Sequence, residues 1–279
     1  MINSKWIKII TETEIRDIIQ ETDSFIFLGA KAEFPNSQNE NRERKGVDGE
    51  LPGVTTFAPF NLVVRLGFDG NDEKDINLIE LKLRKMFFKR KPYYIVTSDN
   101  PGIKYPVQNP SIEEDILDFS STVYELTFPV HKGYAESLKD TSEFSLNDGN
   151  WQFEAGVQAT NDVHYTHDHW AFRIFNGSND IINPVLDHKL IIKIHSEAPN
   201  GLKITNKTTG DVFEYKESLN YANELTINGV HPFLDNKQRV GKYTNFEWIT
   251  LAPGYNQIVI SGEAVSKIQT EWIFNFIYR

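Results

Sequence analysis

The 279-residue chain contains no cysteine. That removes disulfides, thiolate nucleophiles and zinc–thiolate sites together, and leaves either redox compartment open. Long apolar runs are missing as well, since nothing approaches the ~18 consecutive apolar residues of a bilayer span. The start, Met1 to Ile10, has no apolar stretch leading to a small-residue cleavage site. The expectation is therefore a soluble protein made in the cytoplasm, without a membrane partner. Basic charge is in deficit, with 29 Lys and Arg against 39 Asp and Glu, a net of -10. This argues against nonspecific binding of phosphate backbones, which needs clustered cations. The one basic stripe, Lys82 to Lys91, reads as the solvated face of a helix. A hydrophobic fraction of 39% is low, while an aromatic share of 13% predicts a core heavy in Phe, Tyr and Trp.

Familiar catalytic spacings are absent too. There is no Gly-x-Ser-x-Gly elbow, no His-Glu-x-x-His and no phosphate-cradling glycine loop. Asp69, Asn71, Glu73, Asp75 and Glu80 fall at EF-hand offsets, but Lys74 stands where the turn needs glycine. Helix capping explains those acids more simply. Glu113, Glu114, Asp115 and Asp118 read as the acidic face of a loop or short helical turn, although counting cannot exclude a glycosidase pair. His164, His167 and His169 lie within a few residues of one another beside Asp162 and Asp168. In a strand His167 and His169 would share a face, yet a structural metal site needs four rigid ligands. The cluster reads as a polar interface or hairpin that titrates between pH ~5 and 7. Trp151, Trp170, Tyr221 and Tyr243 could stack on sugars, although such aromatics are more often core. No metal, cofactor or catalytic residue is expected.

What is present is mainly strand pattern. Ser24–Leu28 and Leu62–Leu66 read as strands. From Asp72 the period shifts to 3.6, with Ile76, Ile79, Leu83, Met86 and Phe87 on one stripe, Asp72 as N-cap and Pro92 as stop. This predicts one helix over about 73–90. Between them, Pro35 to Gly49 is polar for fifteen positions and reads as a mobile loop or as an arm that orders on a partner. Alternation resumes at Trp151, Phe153, Ala155 and Val157 and continues through Val185–Ile194, Phe246–Leu251 and Glu271–Tyr278. The expected plan is an N-terminal domain over 1–138, a linker over 139–150 and a C-terminal sandwich or jelly roll over 151–279.

Several segments in order resemble the distal tail protein (Dit) family of siphophages that infect Gram-positive bacteria. They are Gly46-Val-Asp-Gly-Glu-Leu-Pro-Gly53, the helix followed by Tyr93-Tyr-Ile-Val, and Asn100-Pro-Gly-Ile-Lys-Tyr105. Tyr134-Ala-Glu-Ser137, Phe175-Asn-Gly, Asn183-Pro184, Ile204–Asp211 and Leu251–Gly262 complete the set. The resemblance implies an N-terminal β-sandwich with one helix and a C-terminal galectin-like sandwich. It implies a non-enzymatic homo-hexameric ring in the virion's tail tip. Its partners would be the major tail tube protein on one face and the tail-tip hub or tail-associated lysin on the other. In some relatives a receptor-binding protein joins them, and DNA only passes through the lumen. In that setting Asn41, Arg42, Arg44, Lys45 and Asp48 become a candidate subunit-contact arm, and an acidic lumen is expected. The rivals are a host cell-surface carbohydrate-binding protein and a cell-wall hydrolase, neither of which accounts for the N-terminal half.

Overall fold

The computed structural model describes residues 5–21, 24–145, 151 and 163–279. The chain divides into two compact units, residues 1–136 with Arg279 and residues 137–278. The expected alternation at Phe153, Ala155 and Val157 lies outside the described residues.

In the front unit β1 (Ile7–Ile10), β2 (Ile15–Asp17) and β3 (Phe25–Ala32) precede four short strands. These are β4 (Asn36–Asn39), β5 (Arg42–Glu43), β6 (Glu50–Leu51) and β7 (Thr55–Ala58). β8 (Phe60–Asp69), α1 (Glu73–Phe87), β9 (Tyr93–Thr97) and β10 (Ile103–Val107) follow. β11 (Ser111–Ile116), β12 (Ser121–Val130) and β13 (Ala135–Ser137) close it. Seven of these strands run in the order β2-β1-β9-β10-β12-β8-β3, with β11 paired to β12. Alternation along β8 buries Phe60, Leu62, Val64, Leu66 and Phe68, and along β12 it buries Tyr124, Leu126, Phe128 and Val130. The apolar stripe of α1 is buried, and Phe87 meets Phe128 edge-on at 5.4 Å.

Asp72 caps α1 by accepting from the backbone N–H groups of Lys74 and Asp75. Of the acids at EF-hand offsets, Asp75 accepts from Asn71, Asp69 accepts from Ser121 and Glu80 pairs with Arg84. The helix stops three residues before the expected end. Phe88 is extended, and the Lys89 N–H is taken by the Asn109 side chain at 2.9 Å. Arg84 and Lys85, rather than Lys89 to Lys91, sit in the last turn, where the helix dipole favours cations. Glu113 to Asp115 are a strand and not a loop or helical turn, because they pair residue by residue with Tyr124 and its neighbours on β12.

The second unit holds β14 (Thr166–His167), β15 (Ala171–Asn176), β16 (Leu190–Glu197) and β17 (Leu202–Asn206). β18 (Val212–Tyr215), β19 (Leu225–Asn228), β20 (His231–Leu234) and β21 (Gln238–Arg239) come next. β22 (Gly254–Ser261), β23 (Ser266–Phe274) and β24 (Ile277–Tyr278) end it. Two antiparallel sheets run β14-β23-β16-β19-β20-β21 and β15-β22-β17-β18. They meet through aromatic rings, with Phe172 of one sheet edge-on to Trp272 of the other. Among the described residues the fold is mainly β with one α-helix, as expected.

Three segments differ from their pattern. Phe246–Leu251 is not a strand: Phe246 has φ 62°, and side chains serve the backbone instead. Asp211 accepts from the Thr250 N–H at 2.8 Å, and Asn206 donates to the Thr250 carbonyl at 2.7 Å. Asn256 continues this network, accepting from Ala252 N–H and donating to its carbonyl. Val185 lies in a 3-10 turn ended by Asp187 at φ 59°, so its strand begins only at Leu190. Part of the expected linker is packed structure, because Thr141 Oγ1 donates to the Trp272 carbonyl at 2.7 Å and Lys189 pairs with Asp140. Residues 146–150 lie outside the described residues.

Candidate functional site

The polar stretch after Pro35 folds as a β-ribbon. β4 pairs with β7 from Asn36–Ala58 to Asn39–Thr55, and β5 pairs with β6 through Arg42–Leu51 and Glu43–Glu50. The offset between the two ladders is one residue, a bulge at Pro52-Gly53 that re-aims the tip. Gly53 is needed there, since a Cβ would run into the Glu40 backbone carbonyl. The turn uses Gly46 and Gly49 at φ 81° and 82°. The base is held by Gly133, which lets the Phe57 and Ala58 carbonyls approach, and by Arg279 stacked over Phe57 at 4.2 Å.

All five expected arm residues lie in the distal half of this ribbon and are exposed. Asn41 Oδ1 accepts from the Gly53 N–H at 3.2 Å and braces the bulge. Arg42 stands opposite Leu51, while Arg44, Lys45 and Asp48 surround the turn. Among the described residues the three cations have no ion-pair partner. Val47, Leu51 and Val54 are exposed beside them. Ten residues of strand reach about 30 Å, so the tip stands well away from its base.

A second surface, missed in the sequence, is a groove of about 480 Å³ between α1 and β11. Leu83, Phe88, Pro110 and Ile112 form apolar walls, with Glu80, Arg84 and Glu114 at the rim. Tyr124 lines it, only 1% exposed, and its buried Oη has no hydrogen-bond partner. Burial, then the Glu80 and Glu114 carboxylates, push its pKa up to about 12, so the phenol stays protonated. Arg84 binds Glu80 at 3.2 Å. Among the described residues β11 pairs only with β12, which leaves its outer edge and the exposed Ile116, Leu117 and Phe119 uncovered. The signal was available: a Tyr in register with buried aliphatics, opposite an acidic run.

The front unit also buries charge. Glu136, 6% exposed, binds Lys132 at 2.6 Å and Lys104 at 3.6 Å, beside Tyr94 and Tyr134. Burial alone would lower the Lys132 pKa, but Glu136 more than reverses this and the net shift is upward.

The three histidines do not converge. β14 ends at His167, whose ring stacks on Phe172 at 4.2 Å while its Nε2 meets the His164 carbonyl at 2.9 Å. His169 points elsewhere, pairing with Asp168 at the surface. The shared face expected of a strand is therefore lost. Among the described residues no group of three His, Asp or Glu side chains could hold a metal ion. Burial, with the neighbouring His164 and His169, lowers the His167 pKa against the His164 carbonyl and Asp168. Trp151 is buried against Phe144 and Phe276, so it is core rather than sugar platform. Trp170 and Tyr221 remain exposed.

Residues 14–130 match the family described as phage tail protein RIFT-related domain. That match lies within the front unit. No curated protein matches the chain by sequence. Among solved structures, the chain is similar to the Dit protein of phage SPP1, described as a paradigm of the hub adsorption apparatus in phages infecting Gram-positive hosts. The two share 13% identity and a TM-score of 0.68 over 97% of this chain and 99% of that one. A chain of the phage P2 baseplate in its activated, calcium-bound conformation matches at 10% identity and a TM-score of 0.43, covering 97% and 98%. The tail domain and the end-to-end fold together support the resemblance to distal tail proteins.

Proposed function

We propose that this protein is a non-enzymatic distal-tail adaptor of a phage virion. Six copies close into a ring through the tail domain, with the tail tube docked on one face and the hub or lysin protein on the other. The second unit, residues 137–278, serves as a galectin-like sandwich that offers a place for adhesion proteins. The observation that carries this reading is the fold likeness to SPP1 Dit along nearly the whole of both chains. The front unit adds what a ring component needs: an exposed ribbon, uncovered sheet edges and exposed apolar side chains at Ile26, Leu28 and Phe119.

The test is placement. Gold-labelled antibody on intact particles should mark the joint below the tube, and solution mass with negative-stain imaging should give a six-fold ring with a central pore. Label on the capsid or along the tube would overturn the reading, as would clearing of peptidoglycan in zymography. A glycan hit lost in Trp170→Ala would favour the carbohydrate-binding rival.

A further inference from the structure

We propose that the groove between α1 and β11 is the acceptor for the ribbon tip of a second copy, taking a cationic side chain, Arg44 or its neighbours Arg42 and Lys45. The inference rests on the ring reading and names its contact. Three observations on different parts of the front unit meet here.

The first is the floor of the groove. A buried hydroxyl without a partner is a cost that native proteins rarely leave standing. Tyr124 lines the groove, and its buried Oη has no hydrogen-bond partner among the described residues. The second is charge. Glu80 is neutralised by Arg84, whereas Glu114 has no ion-pair partner among the described residues, so the rim carries one carboxylate in excess. A single guanidinium or ammonium with an aliphatic stem fits: the head bridges Glu114 and Tyr124 Oη, and the stem lies on Leu83 and Ile112. The third is the ribbon, which holds three unpaired cations and the exposed Val47, Leu51 and Val54 away from its base. Among the described residues no hydrogen bond or ion pair ties this tip to the groove of its own chain. Each copy thus has one arm and one acceptor.

Solution mass would be measured for the full chain, for Arg44→Glu, for Glu114→Arg and for the double variant carrying both reversals. Both positions are exposed, so the fold tolerates the changes. Each single reversal should weaken self-association by roughly 30-fold, and the double variant should recover most of it. Tyr124→Phe separates docking from folding. It should leave monomer stability unchanged or raised, because the orphan hydroxyl is gone, yet weaken association. Because the chain lacks cysteine, Arg44→Cys with Glu114→Cys supplies one defined thiol pair. Mild oxidation should give an intermolecular ladder absent from either single variant, even if the parent chain is monomeric. Rings that form with both reversals silent and no ladder would overturn this inference and leave the ring reading standing. A chain that stays monomeric at every concentration and gives no ladder would overturn both.

Discussion

Asn206, Asp211, Thr250 and Asn256 replace a strand with side chains. Asn256 is fully buried and bonds the Ala252 N–H and carbonyl, the Gly254 carbonyl and the Asn206 amide. Asn256→Ala strands those groups, and the expected loss is about 2–3 kcal/mol, read as a lower denaturant midpoint. This network links the turn after β17 to the segment that leads into β22. It also explains why Phe246–Leu251 misled. Alternation reports which residues face a core, and a segment pinned by side-chain hydrogen bonds can keep that alternation without a ladder. His167 makes a different test. Its folded pKa lies below the free imidazole value near ~6.5, so its contribution to stability is complete above that pH and is lost as pH falls through the folded pKa. The thermal midpoint should drop between pH 7 and 5, and His167→Gln should flatten part of that drop. His131, whose pKa is also lowered by burial and by Lys132, acts in the same direction.

At the scale of elements, α1 was legible because its period, cap and acids all agree. Its C-terminus was not, since Asn109, twenty residues away, decides where Lys89 goes. The ribbon was visible only as polarity. Its strands bury nothing, so no periodicity marks them, and the glycines that shape it were legible only as turn residues. The acidic strand β11 failed for a related reason: an exposed edge has no apolar face to alternate. Gly53→Ala tests the ribbon's geometry. The clash with Glu40 should distort the bulge and weaken assembly, while the melting of the front-unit core should move by no more than ~0.5 kcal/mol.

For the whole molecule, the exposed cations of the ribbon predict where proteases enter. In dilute, unassembled protein, trypsin should cut first after Arg42, Arg44 or Lys45, leaving two fragments held by the front-unit sheet. In assembled rings the same bonds should resist, and the ratio of the two cleavage rates reads the fraction of docked arms. Thr141 reads as linker in the sequence, yet its hydroxyl bonds the Trp272 carbonyl, a long-range contact that composition does not reveal.

A subunit with a plug on one side and a socket on another makes a head-to-tail contact, whose repetition either closes or runs on as a fibre. The outcome is set by the rotation between successive copies, and the extra residue at Pro52-Gly53, by aiming the tip, bears on that angle. Removing the bulge would straighten the plug, and the expected product is an open filament or a ring with a different number of members.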